Sequence, residues 1–438
     1  MFGPSLSRRD FLRVSTLVAA GTIAAACTPT TPAPAGGAPG GEVPAGGAPA
    51  GQPTTAAPAA TAKEAPALAA QVSEGKLPPL EERLPLNPRV LTPIDEIGVY
   101  GGEVRLLNVG ESYSAWNNQY LYDGGAMWSP DATVIEDNIV ESHQYNETGD
   151  EITLTLRKGM RFSDGEPLTS EAFRFWWEDL VLNKDAGYPE PYYTITEQQS
   201  MAVEVIDDYT FKCKFHKPHW LFWDTGGPIS GGYMYHFSPA HYLKTLHPKY
   251  NPEIKDYALL QEKFPSATGM IYCNPDLPVL CAWKTVEYVP GQRLVAERNP
   301  YYWKVDPDGK QLPYLDKWVH TQVEDMRVVP LRIVGGEVDF MARSITFDAF
   351  TEIKTAEEQG NYRMILWKVG GGGDPMFIFN WEHKDPEIRT LFRTREFKLG
   401  LSHALDRETI NNVVYLGQGA VSQGVTSPYS PWGRITEE

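Results

Sequence analysis

The stretch "LTLRKGMRFSDGEPLTSEAF", residues 154–173, decides the fold. It reads as a strand, a turn and a helix. Ile152, Leu154 and Leu156 alternate with Thr153, Thr155 and Arg157, the period-2 pattern of a half-buried strand. Ser163-Asp164-Gly165 marks a turn, because Asp bonds its own backbone and Gly takes positive φ readily. Thr169 stands where a helix cap belongs, with Glu171 in the first turn. The spacing predicts a helix that buries Phe173, Trp176, Trp177 and Leu180 on one side. No nucleophile, base or metal cluster falls in this stretch.

Working outward, "GEVRLLNV" (102–109) reads as a first strand that runs into the polar-aromatic loop "GESYSAWNNQY". Residues 136–159 and 201–218 read as strand-turn-strand units, and "KTVEYVPGQRLVAERNPYYW" as a hairpin turning at Pro290-Gly291. "RVVPLRIVGGEVDF" predicts a short helix, a Gly-Gly end and a strand from Val338. "RMILWKV" and "MFIFNW" read as strands. "EFKLGLSHALDRETINNVVYLGQG" predicts two short helices, the second capped by Asp406. Strands mixed with helices, and several hairpins, indicate α/β with mixed sheets.

The first residues concern targeting. Arg8 and Arg9 precede an apolar run, 14–26, that is too short to span a bilayer. Phe11-Leu12 after the pair fits a twin-arginine export signal; an ordinary secretory signal with two arginines is the other reading. Cys27 follows three alanines, where a bacterial lipoprotein carries its lipid; cleavage elsewhere and an inert thiol is the alternative. Residues 28–62 hold no Lys or Arg and are built almost wholly from Pro, Gly, Ala and Thr. Such a segment buries too little to offset its ordering entropy and suits a stalk. Residues 63–96 read as a transition, with folded chain expected from near Tyr100.

The net charge of −17 argues against nucleic acid as a partner. Past the signal no apolar run is long enough to cross a membrane. Nucleotide fingerprints, nucleophile elbows and Cys/His metal spacings are absent, and no cofactor is implied. Cys213 alternates with Phe211 and Phe215, as a buried strand residue would. Cys273 and Cys281 flank a Pro-rich loop, and an exported protein could bridge them. Trp, Tyr and Phe make up 12% of the chain. Several lie in Pro- and Gly-broken loops that either line a ligand groove or pack between domains.

Taken in order, "LTLRKGMRFSDGEPLTSEAFRFWWED", "VEVIDDYTFKCKF", "YVPGQRLVAERNPYYWKVDPDGKQLPYLDKW", "LRIVGGEVDF" and "FRTREFKLGLSHALDRETINNVVYLGQG" resemble the bacterial extracellular solute-binding proteins of family 5, the peptide- and dipeptide-binding group of ABC importers. The resemblance spans about residues 101–428. It implies a type II periplasmic-binding-protein-like fold, with two lobes around a cleft. The expected layout is a signal over 1–26, lipidated Cys27 with stalk and transition over 27–95, a first lobe over 96–325, and the start of a second lobe over 326–438. Asp164, Gly165 and Asp406 would be scaffold. Tyr113, Trp116, Asn117 and Tyr120, in the loop after the first strand, and Phe379, Asn380 and Trp381, toward the interlobe region, are the candidate ligand contacts. Rings would stack on the ligand, and the Asn amides would both donate and accept.

The implied function is solute capture by a tethered monomer at the outer face of the cytoplasmic membrane, or in the periplasmic space. An oligopeptide would be delivered to ABC permease subunits. An oligosaccharide ligand is the runner-up, and a secreted hydrolase with a hidden carboxylate pair the third class. Relatives with this pattern continue past the point where "SPYSPWGRITEE" stands, so the second lobe is expected to be incomplete. The part beyond would finish that lobe, return to the first, and carry the acidic partner of a peptide's amino terminus.

Overall fold

The computed structural model describes residues 62–110, 123–131, 133–225, 236–265, 270–367, 376–419 and 421. Its centre is the stretch quoted above. Strand Glu151–Leu156 buries Ile152, Leu154 and Leu156 and leaves the alternate residues half-exposed. The turn that follows closes with Gly165 N–H donating to the Phe162 carbonyl (2.9 Å) and Phe162 N–H to the Glu166 carbonyl (2.8 Å). Gly165 has φ +94°, and a Cβ there would stand 2.9 Å from the Tyr301 hydroxyl. Both conformation and space therefore call for glycine at this position.

The helix differs from its predicted form. Thr169 occupies the cap position, but its side chain makes no capping bond. Ser170 anchors the start instead, through its hydroxyl to the Asp207 carbonyl (2.5 Å) and its N–H to the Asp208 carbonyl (2.7 Å). After Ser170–Arg174 the chain widens into π-helical turns over Phe175–Val181. The wider turn brings Phe175, Trp176, Trp177, Asp179, Leu180 and Val181 all into the interior. A one-sided face at the 3.6 period becomes a segment buried nearly all round.

Two four-stranded sheets organise the body. The antiparallel one runs Val140–Tyr145, Glu151–Leu156, Thr210–Lys214, Ala202–Val205. Its register sets Phe211 opposite Leu154 and Cys213 opposite Ile152, so one face is continuously apolar. Phe173 stacks on Phe211 there, ring centres 4.4 Å apart. The other sheet runs Trp283–Val289, Arg293–Arg298, Lys317–Val323, Glu103–Val109, and its last pair is parallel. A large core joins the antiparallel sheet to the aromatic helix. A small second core gathers Leu107, Val323, Val329, Ile333, Ala349 and Ile353 against helix Val328–Val334.

Four expectations are corrected. Folded chain begins well before Tyr100: helix Pro66–Ser73 packs Leu68, and Arg89–Val90 pairs in parallel with Lys304–Val305. Arg83 is wholly buried and donates to the carbonyls of Pro300 (2.5 Å) and Pro78 (3.0 Å) and to Gln311 Oε1 (3.1 Å), with Glu64 as its ion partner. Those bonds hold a proline-rich segment that composition alone leaves loose. Cys273 and Cys281 are not bridged; both are free and buried, and the Cys281 thiol donates to the Trp283 carbonyl (3.2 Å). No strand starts at Val338, and neither 363–367 nor 376–381 is a strand. Among the described residues no strand pairs with those last segments. Helices Pro386–Arg393, Arg395–Ala404 and Arg407–Val414 follow, the first of them not foreseen, and none holds a buried residue.

Candidate functional site

Tyr113, Trp116, Asn117 and Tyr120 lie outside the described residues, as do Arg8, Arg9 and Cys27. The two ends of the loop that carries the first four are described. On the entry side, Val109 pairs with Val323, and Gly110 N–H donates to the Val323 carbonyl (2.9 Å). Asn108 is buried and its side-chain amide donates to the Gly110 carbonyl (2.9 Å). Gly110 has φ +71°, a conformation that costs an L side chain more than glycine.

On the exit side stands Asp123, a buried carboxylate. It accepts from Lys304 Nζ (2.5 Å), the Tyr302 hydroxyl (3.0 Å) and the Asn138 side-chain amide (3.2 Å). Lys304 is itself buried, its ammonium 4.8 Å from the centre of the Trp303 ring. Burial pushes the Lys304 ammonium below its ordinary value while Asp123 pulls the other way. Burial, reinforced by the Asp123 charge, pushes the Tyr302 phenol well up. Three donors on one carboxylate make this a fixed post at residue 123.

The second group of candidates is only partly available for a ligand. Phe379 packs on Phe392 and Phe397, centres 5.2 and 5.9 Å away. Asn380 turns its side-chain oxygen to the Glu382 N–H (3.0 Å), closing a local turn. Trp381 is exposed, with Lys398 Nζ 4.5 Å from its ring centre on one face. Of the three, Trp381 presents the most open ring surface.

Asp164, Gly165 and Asp406 have scaffold tasks. Asp164 binds His241 Nε2 (2.9 Å) and the Glu166 N–H (3.2 Å). Burial opposes its ionisation, yet the His241 and Glu166 bonds prevail and hold the carboxyl below its usual range. Asp406 accepts from the Thr409 N–H (2.9 Å) and hydroxyl (2.7 Å) and so caps the last helix.

Sequence reasoning missed two ties near this region. One is the Asp123–Lys304 post. The other is Arg105, in the middle of the first strand. Its Nε and Nη2 grip Asp339 (2.9 and 2.7 Å), and its backbone N–H donates to the same carboxylate (2.8 Å). The Arg105 bonds hold the Asp339 carboxyl below its usual range. They fasten the chain after helix Val328–Val334 to the mixed sheet. Spacing hints at neither pair; only the run of large apolar residues around Lys304 signals that it is buried.

Among the described residues no three or more His, Cys, Asp or Glu side chains group so as to hold a metal, and no helix is long and apolar enough to cross a membrane. What the geometry offers is a two-sheet platform, bonded residues at 110 and 123, and one exposed candidate ring, Trp381. A profile described as "Bacterial extracellular solute-binding proteins, family 5 Middle" matches residues 134–437. The chain belongs to this family.

The proteins this chain is similar to differ in the ligand their names give. The periplasmic alpha-galactoside-binding protein of Rhizobium meliloti is 30% identical over 383 residues, 79% of this chain and 52% of its own length. The periplasmic oligopeptide-binding protein OppA of Salmonella typhimurium is 23% identical over 303 residues, 65% of this chain and 47% of its own. Among solved structures, an oligopeptide-binding protein OppA superposes with a TM-score of 0.67 at 32% identity, covering 81% of this chain and 57% of its own. The periplasmic binding protein MelB of Agrobacterium fabrum, in complex with stachyose, gives 0.58 at 26%, covering 84% and 56%. The chain spans about half the length of the relatives it matches. Its fold is α/β with mixed sheets, of the kind found in the two-lobed periplasmic binding proteins.

Proposed function

We propose that this chain captures a solute, an oligopeptide, outside the cytoplasmic membrane and delivers it to the membrane subunits of an ABC importer. It binds and does not catalyse. The family match over residues 134–437 carries this reading. The two OppA relatives favour peptide within it. Export through the Arg8-Arg9 signal, a lipid on Cys27 and the Pro/Gly/Ala stalk over residues 28–62 would keep a monomer at the membrane's outer face. The cleft of a type II periplasmic-binding-protein-like fold would lie between a first lobe built on the two sheets and a second lobe that starts near residue 326. Tyr113, Trp116, Asn117, Tyr120 and Trp381 remain the proposed contacts, with Trp381 best placed to stack. Capture would close the lobes by a hinge motion.

An oligosaccharide is the second reading. It is favoured by the alpha-galactoside-binding relative, 30% identical, and by MelB holding stachyose. Ring faces such as that of Trp381 serve a sugar as well as a peptide.

The test is calorimetric titration of the protein against separate pools of short peptides and of α-galactosides. Heat from the peptide pool supports the leading reading, and heat from the α-galactosides alone replaces it with the second. A folded protein silent to both removes solute capture. Separately, Cys27→Ala should move the protein from the membrane to the soluble fraction. An unchanged distribution would remove the lipid anchor.

A further inference from the structure

Away from the contacts proposed above, one indole is seated flat on backbone with its other face to solvent. Trp220 follows strand Thr210–Lys214 and lies over the turn that joins strands Val140–Tyr145 and Glu151–Leu156. A Cβ placed on Gly149, in that turn, would stand 2.2, 2.4 and 2.7 Å from Cε2, Cζ2 and Cδ2 of the ring. These are a fusion carbon and its two neighbours in the six-membered ring, and the indole nitrogen is not among the nearest atoms. Gly149 therefore meets the face of the ring, not its edge. Gly149 is buried, whereas Trp220 remains 51% exposed, so the opposite face is open.

Both sides of this contact are held. The Gly149 carbonyl accepts from the His219 N–H (2.7 Å), and the Gly149 N–H donates to the Asn146 carbonyl (3.2 Å). The Tyr145 hydroxyl donates to the Trp220 carbonyl (3.0 Å) and accepts from the Trp223 N–H (3.1 Å). Its ring stands 5.2 Å from the indole, centre to centre. Gly149 has φ +72°, so conformation and space both keep a side chain from under the indole. A ring fixed beforehand in this way loses little freedom when a ligand covers it.

The seat also has a polar border. Thr148 and Asp150 flank Gly149 in the chain. Asp150 Oδ1 accepts from the Thr148 hydroxyl (2.6 Å) and the Asn146 side-chain amide (2.7 Å). Among the described residues no hydrogen bond reaches Asp150 Oδ2. An open ring face beside a carboxylate oxygen suits a pyranose, whose C–H face covers the indole while its hydroxyls donate to the carboxylate. An anionic ligand would be repelled by Asp150 and the exposed Glu147. A wholly apolar one would strip water from the carboxylate and return no donor.

We propose that Trp220 and Asp150 form a sugar-binding site that takes a neutral pyranose unit of a glycan chain. Trp220 stacks on the sugar, Asp150 accepts from its hydroxyls, and Gly149 supplies the seat. The site goes beyond solute capture. None of the contacts proposed for the transported solute belongs to it, so it holds whether that solute is a peptide or an oligosaccharide. A neutral polysaccharide is the suitable probe, because each chain offers the ring many identical units.

Affinity electrophoresis tests it. The protein is run through native gels cast with increasing galactomannan, dextran or hydroxyethylcellulose. At least one polymer should retard it, and Trp220→Ala should raise the polymer concentration needed at least about 10-fold. Asp150→Ala should raise it about 3-fold or more. Trp128→Ala, which removes another exposed ring, should run as the parent does. Trp220→Phe, which keeps a smaller ring, should recover part of the retardation, a result that loss of folding would not give. Two results would overturn the proposal. One is a parent protein that none of the three polymers retards. The other is retardation that Trp220→Ala leaves unchanged, since the sugar is then held elsewhere, as it would be if the solute site itself took the glycan.

Discussion

Lys304→Met removes one charge of a buried pair and leaves the other. Asp123 then keeps only the Tyr302 hydroxyl and the Asn138 amide, two neutral donors, where an ammonium stood 2.5 Å away. Both residues are nearly inaccessible, so water cannot take the ammonium's place. Breaking such a pair from one side costs about 3–5 kcal/mol. Asp123→Asn leaves the Lys304 charge stranded and should cost a similar amount, about 3 kcal/mol or more. In the double variant no charge remains uncompensated, and the loss should shrink to about 1–2 kcal/mol. The coupling in the cycle is therefore strong, with the double variant more stable than either single one. Urea unfolding followed by tryptophan fluorescence reads this as midpoint shifts at constant slope. A Lys304→Met loss below about 1 kcal/mol, or losses that simply add, would refute the idea of a fixed post.

Three further outcomes follow from the same geometry. Phe173→Ala empties the space between helix and sheet beside Phe211 and should destabilise by about 3–5 kcal/mol in urea, whereas Phe173→Leu should lose clearly less. His236 is buried and held neutral, its value pushed down to about 4 by burial. The unfolded chain binds a proton below about 6.5 that the folded one refuses, so stability is complete above that pH and falls toward pH 4. The loss reaches about 3 kcal/mol there, at about 1.4 kcal/mol per pH unit. His236→Phe should flatten that slope in unfolding measured across pH 4–7, and an unchanged slope would clear His236 of the effect. Asp406→Ala removes the cap on helix Arg407–Val414 and should raise proteolysis and amide exchange within it, with a loss of about 1 kcal/mol, while Asp406→Asn keeps most of the protection.

The parts of the fold legible in the sequence are those whose signal is local. Strand 151–156 and its neighbours announce themselves because period 2 survives any tertiary context that buries one face. The Pro290-Gly291 turn and the Asp406 cap are likewise set by a few adjacent residues. The π-helical widening after Arg174 is not local. It follows from fitting Phe175, Trp176 and Trp177 into a core whose other walls come from residues 126–303. Residues 62–95 look loose by composition, yet a buried Arg83 reaching Pro300 and Gln311 and the pairing of Arg89–Val90 with Lys304–Val305 fasten them. "RMILWKV" and "MFIFNW" have the right residues for strands, but a strand is a pairwise object, and composition does not reveal whether a partner is at hand. The site is less legible than the scaffold for the same reason. Asp123 with Lys304, and Arg105 with Asp339, are contacts between residues far apart in the chain, and no spacing rule joins them.

The central proposal is solute capture, with Trp381 as the exposed ring among the candidate contacts. Tryptophan fluorescence titration of the protein with a short-peptide pool, alongside its Trp381→Ala variant, tests it most directly. The account predicts saturable quenching or enhancement with peptide, weakened at least about 10-fold in the variant, since a stacked ring contributes on the order of 1–2 kcal/mol. A folded protein whose fluorescence responds to neither peptides nor α-galactosides would contradict it.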